Sequence, residues 1–355
     1  MKKYVKGTIG LTAGILGLIM AFMIVIDPLF QYHYPWFGME PILSGESKEQ
    51  YYVPGMAKSF EYDTAIIGTS MSENFRPSWF ENIWGGKTVK LTISGSYPVE
   101  YHKVLKLVLN HEDIANIVMN IDSSYLQSDP NTGRWEDLPD YLYDYNFLND
   151  GPYLFNKEVI FNFGQKLLRR NHSRKYTDFD LLFSWDSNAE YGREIVQGLI
   201  EPEYKRCDSN MLSCYEAWSE ENIESLFTVI KNNPDVHFTV FIAPYSIAYW
   251  YDEYRAERVD YWERRYASLF DRLLRLDNVS IYFFTDEKAI TMITDLDNYK
   301  DKTHYSAEVS RYIVDCIQNQ ENQLSNGDYK KVLNTFFNYV RNFDYSQLTT
   351  LMEDE

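Results

Sequence analysis

The sequence predicts an α/β protein with a five-stranded parallel sheet, preceded by a single transmembrane helix. Three observations carry that expectation. Short apolar runs at 64–67, 89–93, 115–121, 236–242 and 279–284 are bounded by Gly, Pro, Asn or Asp and have the length of buried strands. Helix-periodic segments at 99–109, 219–231 and 251–276 lie between them, a βαβ rhythm that implies parallel strands with helices on both faces. Lys2, Lys3 and Lys6 precede an uncharged apolar run at 7–26 that closes on Asp27 and Pro28.

At about 1.5 Å per residue that run covers roughly the 30 Å hydrocarbon core of a bilayer. No Lys or Arg occurs between Ile26 and Lys48, so the positive-inside rule places residues 1–6 in the cytoplasm and the globular part outside. No small-x-small cleavage site follows the run, which reads as a retained anchor rather than a removed signal peptide. No second run of that length occurs, so a single-pass protein is expected, not a channel.

The rest of the chain is long enough for one large domain with an insertion. The net charge of -18 argues against nucleic acid or anionic lipid as partner, because phosphate binding needs clustered Lys and Arg. Three cysteines do not make a disulfide framework. The spacing allows Cys207 and Cys214 to pair across a short loop without requiring it, whereas Cys316 falls on the apolar face of a helix and is expected in the core. Nothing resembles a zinc site, and neither metal nor organic cofactor is expected.

Residues 27–60 are rich in Pro, Tyr and Gly, show no long periodic run and read as a membrane-proximal stem. Between the third strand and the next helix, the rhythm stops over residues 125–215. A structureless loop of that size is implausible in a compact domain, so a partly helical insertion is expected, with a helix near 157–170. Its aromatic and acidic residues suit either covering an apolar surface or holding a sugar polymer. The main domain is expected over 61–320. Helices at 307–317 and 329–341 are also expected, the second within a tail at 321–355.

In open α/β sheets, ligands bind beyond the carboxyl ends of the strands. Ser70 ends the first strand in Gly68-Thr69-Ser70 and is a candidate nucleophile. The second strand ends in Ser94-Gly95-Ser96, where Gly95 can bring a backbone N–H to an oxyanion. Asp301 and His304, three positions apart before the 307 helix, supply an acid and a base. Each element alone has a plainer reading, Gly-Thr-Ser as a turn into a helix cap and His304 as a solvated loop histidine. Their joint placement at the ends of β-α units favours the chemical one.

These blocks resemble the SGNH hydrolase superfamily in a membrane-anchored form: Gly68-Thr69-Ser70 stands where that family has Gly-Asp-Ser, Ser94-Gly95 is the second block and Asp301 to His304 the last. The resemblance covers most of 62–317. It implies a flavodoxin-like three-layer fold, Ser70 as nucleophile, His304 as base, Asp301 as its orienting acid, and the Ser70 and Gly95 amides in the oxyanion hole. One block departs. The family's third block gives an asparagine donor from a Gly-x-Asn-Asp turn, whereas here Asn120 falls within the strand and Asp122 or Ser123 is expected at its functional end, in the substrate pocket. A carboxylate there repels an oxyanion, and a lost donor costs about 3 kcal/mol of transition-state stabilisation. A looser resemblance, resting on architecture, is to anchored SGNH-like partners of membrane-bound O-acyltransferases, which act in lipoteichoic acid D-alanylation and polysaccharide O-acetylation.

The expectation is an extracytoplasmic serine esterase or O-acyltransferase acting on a cell-envelope glycopolymer or other acyl-carrying substrate, with a membrane-bound O-acyltransferase as partner. The alternative is an inactive anchored protein that keeps the fold and binds or assembles envelope polysaccharide, a reading favoured by Asp122.

Overall fold

A computed structural model of the chain describes residues 1–43, 49–174, 176–201 and 208–348. Five strands form one all-parallel sheet: β1 (Thr64–Gly68), β2 (Thr88–Thr92), β3 (Asn116–Asn120), β4 (His237–Ile242) and β5 (Val279–Phe283), in the order β2-β1-β3-β4-β5. Each expected strand is present to within about a residue. Every residue of β1 is buried, as an inner parallel strand covered on both faces must be. The registers align the carboxyl ends, pairing Gly68 with Thr92 and Asn120 with Phe241.

Fourteen α-helices occur among the described residues. Three precede or flank the first strands: α1 (Lys2–Ile26), α2 (Glu49–Ser59) and α3 (Pro77–Trp84). Then follow α4 (Pro98–Val108), α5 (Ser123–Gln127), α6 (Gly151–Leu154), α7 (Gln165–His172), α8 (Arg193–Gly198) and α9 (Ser209–Lys231). The last are α10 (Ile247–Arg255), α11 (Val259–Leu273), α12 (Glu287–Thr294), α13 (Ala307–Asn319) and α14 (Tyr329–Asn342). Helices α3 and α13 pack together, while α2 meets α4 and α9 meets α5 and α11, the two sets that right-handed crossovers put on opposite faces of the sheet. Because the chain steps from β1 outward to β2 and then back to β3, a crevice opens at the carboxyl ends of β1 and β3.

Two expectations about helices need correction. The stem, 27–60, contains α2, whose interior Pro54 obscures its periodicity. The single helix expected at 251–276 is two, α10 and α11, because Glu257 turns left-handed at φ 59° and ends the first. The helix expected near 157–170 in the insertion is present, running from 157 through a π-wound stretch at Val159–Gly164 into α7. Cys316 is fully buried as expected, whereas Cys207 lies outside the described residues.

Helix α1 is long and apolar enough to cross a membrane and spans about 37 Å. Its side chains are exposed up to Leu18, Ile19 and Met20 are half-buried against the domain, and Met23 and Ile26 are buried. The join is polar and specific. Asp27, 1% exposed, ends the helix in a left-handed turn, and its carboxylate accepts the amides of Gln31 (2.9 Å), Tyr32 (2.7 Å) and His33 (3.0 Å) and the Tyr153 hydroxyl (2.5 Å). Removing it strands several buried donors. Asp27→Ala is expected to cost about 3 kcal/mol, read as a lower unfolding temperature in detergent, with Asp27→Asn recovering part of the loss.

Candidate active site

Ser70 sits where β1 meets the first turn beyond it, on the lip of the crevice. Its Oγ lies 2.7 Å from His304 Nε2, and His304 Nδ1 lies 2.7 Å from Asp301 Oδ2. Residues 234 positions apart are thereby brought into a continuous Ser-His-Asp relay. The turn that presents Ser70 requires a glycine behind it: a Cβ on Gly68 would stand 2.1 Å from Asn120 Oδ1 and 2.6 Å from Ser72 Oγ. Asn120, fully buried, uses that oxygen to accept the Thr69 amide (3.1 Å) and the Ser72 hydroxyl (2.8 Å). It stitches the nucleophile turn to β3.

The acid-base arm is fixed as firmly. Asp301 Oδ1 accepts the amides of Thr303 and His304, both at 2.8 Å, closing a tight turn beneath the imidazole. Burial pushes the Asp301 carboxyl up, but the His304 ring and these amides outweigh it and hold the group well below the usual carboxylate range. Ser246 donates its hydroxyl to the Lys302 carbonyl (2.7 Å), and Tyr305 donates to the Met71 carbonyl (2.7 Å), so the loop is tied both to α10 and to the nucleophile turn.

Gly95 lies on the opposite lip at φ 66°, a left-handed turn that suits glycine. Among the described residues neither the Ser70 nor the Gly95 amide donates to a protein acceptor, and both residues line one cleft of about 910 Å³. Asp122 and Ser123 do not line it. The expectation that they form the substrate pocket is corrected: β3 ends at Asn120, and Asp122 caps the amino end of α5, accepting the Tyr125 amide (3.1 Å) and the hydroxyls of Thr69 and Ser124 (both 2.7 Å). Ser123 turns its amide to the Tyr245 hydroxyl (3.2 Å). The carboxylate that counted against an oxyanion therefore points behind the nucleophile turn.

The insertion builds the far wall. Trp185 donates its indole N–H to the Ser70 carbonyl (3.2 Å) and stands edge-on to His304 at 5.5 Å, with the Lys300 ammonium 3.9 Å from its ring. Asp186 accepts the Ala307 amide (2.9 Å) while its own amide donates to Asn74 (3.3 Å). This pair of residues spans both halves of the relay. Arg134 and Arg170 also line the cleft, whose charged walls mix these cations and Lys300 with Glu49, Glu73 and Asp178. Spacing could not place these residues, because they come from a segment with no strand rhythm.

Beneath Ser94 lie two buried carboxyls. Glu49 accepts the Ser94 amide (3.3 Å), and Glu73, 3% exposed, lines the cleft beside it. Burial, reinforced by Glu49, raises the Glu73 carboxyl to about 8, although Lys90, Lys300 and a hydrogen bond with Ser94 pull the other way. Lys90, in the middle of a buried strand, donates to the Glu73 (2.6 Å) and Phe75 (2.8 Å) carbonyls, and burial lowers it to about 7. A lysine inside the apolar run at 89–93 was the sequence signal for this cluster. Because folded Glu73 holds its proton more tightly than the unfolded chain does, its contribution to stability is full at low pH and is lost as pH rises toward 8. Lys90 is protonated in both states at pH 5 to 6 and adds no slope there. Between pH 5 and 6 the unfolding temperature of Glu73→Gln relative to wild type is expected to rise with pH, because the variant lacks the stabilisation that Glu73 loses over that range.

Fold and site together define a doubly wound α/β protein with a Ser-His-Asp relay at its topological switch point. No protein-family model and no curated protein matches the chain. A solved structure provisionally described as a platelet activating factor from Streptococcus pneumonia is similar over 78% of this chain and 92% of its own, at 13% identity and a TM-score of 0.35.

Proposed function

We propose that the protein is an extracytoplasmic serine esterase or O-acyltransferase acting on a cell-envelope glycopolymer. The observation that carries this reading is the pair of 2.7 Å contacts linking Ser70, His304 and Asp301 at the mouth of the cleft. His304 Nε2 takes the Ser70 proton as Oγ attacks the acyl carbonyl, and the tetrahedral oxyanion is received by the Ser70 and Gly95 amides. Collapse breaks the bond to the leaving alcohol, which departs with the proton from His304. Water or a polymer hydroxyl then attacks the acyl-enzyme by the same steps, regenerating Ser70. Asp301 keeps the ring in the tautomer that accepts at Nε2 and steadies the imidazolium.

The anchor, with lysines only on its amino-terminal flank, supports an outward-facing domain. The transferase form would take its acyl group from a membrane-bound O-acyltransferase. Incubation of the detergent-solubilised chain with p-nitrophenyl acetate tests the reading: one acetyl group is expected on the peptide containing Ser70. Turnover that Ser70→Ala leaves unchanged contradicts it.

A further inference from the structure

The domain carries an apolar surface that its core does not use, gathered where α1 enters it. Trp36 and Phe37 are 45% and 82% exposed, and the Trp36 ring stacks at 3.7 Å on His33, whose Nε2 meets the Ile24 carbonyl of α1 at 2.7 Å. Phe37 holds φ 59°, a left-handed conformation unfavourable for an aromatic residue, while its ring projects outward. Leu148, 92% exposed, follows Phe147, whose ring meets Tyr32 at 5.6 Å. Phe155 follows α6, and Phe161 lies in the π turn of 159–164. Both of those elements pack on α1. Leu168 adjoins Leu167, which is buried against Ile26 and Ile42.

These residues come from the stem and from three parts of the insertion, in segments whose neighbouring residues pack on or close to the last turns of α1. Large exposed apolar residues converging on one place mark an interaction site. Its location decides the occupant. If α1 crosses a bilayer, residues packed around its final turn lie at the headgroup boundary, where Trp and Phe are favoured.

We propose that Trp36, Phe37, Leu148, Phe155, Phe161 and Leu168 form a seat that dips into the outer lipid interface and holds the domain against the membrane. The inference rests on α1 spanning a membrane and is independent of the chemistry assigned to Ser70. It also places the cleft. Arg170 lies one helical turn, about 5 Å, beyond Leu167 and donates to the Leu43 carbonyl (2.7 Å), and both Arg170 and Leu43 line the cleft. The site thus opens near the headgroups and receives substrates tethered there.

The test uses the full chain with Cys207 and Cys214 replaced by serine, Cys316 being buried. Single cysteines at Leu148, Phe161, Ile15 in α1 and Glu287 in α12, beside the opposite sheet edge, carry an environment-sensitive fluorophore. The protein is reconstituted alone into vesicles of phosphatidylcholine containing lipid spin-labelled near the headgroup or, in a parallel preparation that reports position 15, deep in the acyl chain. Blue-shifted emission and quenching severalfold above position 287 are expected at 148 and 161. If those two positions match 287 while position 15 is quenched, the anchor is inserted and the seat does not exist. That result also covers a surface reserved for a protein partner, and it leaves the reading of Ser70 untouched.

Discussion

Replacing His304 with alanine is expected to slow acylation of Ser70 by about 10⁴-fold or more, with little change in unfolding temperature. In the proposed mechanism Ser70 Oγ then has no proton acceptor, because its deprotonation runs through the 2.7 Å contact to Nε2. The ring is a quarter exposed, so removing it opens no sealed cavity. Combining His304→Ala with Ser70→Ala is expected to cost scarcely more than either alone, since the groups act as one unit. Stopped-flow measurement of p-nitrophenol release reads this. A loss below tenfold in His304→Ala would mean the serine is not activated by this histidine.

The second large effect is expected at a residue that touches no substrate. Gly68→Ala puts a methyl 2.1 Å from Asn120 Oδ1, and that oxygen cannot swing aside because it holds the Thr69 amide and the Ser72 hydroxyl. Either those bonds break, leaving buried donors unpaired at about 1–3 kcal/mol each, or the turn moves and carries Ser70 away from His304. Both routes lower the unfolding temperature, and a displacement near 1 Å costs about 10²-fold in rate. Gly68→Ala is therefore expected to lose both activity and stability. Full activity in that variant would show that the tight turn behind Ser70 does not position it.

The parts of this molecule written in local pattern were legible in the sequence. An apolar run ending in Gly-Thr-Ser, and an Asp-x-x-His before an amphipathic helix, are short signals. They gave Ser70, Asp301 and His304 because each lies where one element hands over to the next. Asp122 was misplaced for a physical reason: the register at which β3 ends depends on hydrogen bonds to β4, and whether a carboxylate faces a cleft or caps a helix is decided by the backbone of the next residue. Trp185 and Asp186 were invisible because their partners, Ser70, Asn74, His304 and Ala307, lie more than a hundred residues away. The left-handed turn at Glu257 left no mark either, since the apolar period runs on through it.

Labelling of the intact protein with a fluorophosphonate probe, in wild type, Ser70→Ala and His304→Ala, tests the central claim most directly. Stoichiometric labelling of the wild type at Ser70 is expected, with none in Ser70→Ala and labelling slowed by orders of magnitude in His304→Ala. Folded wild-type protein that stays unlabelled while control serine esterases react would contradict it, and the cleft would then be one that binds an envelope polymer without cutting or acylating it.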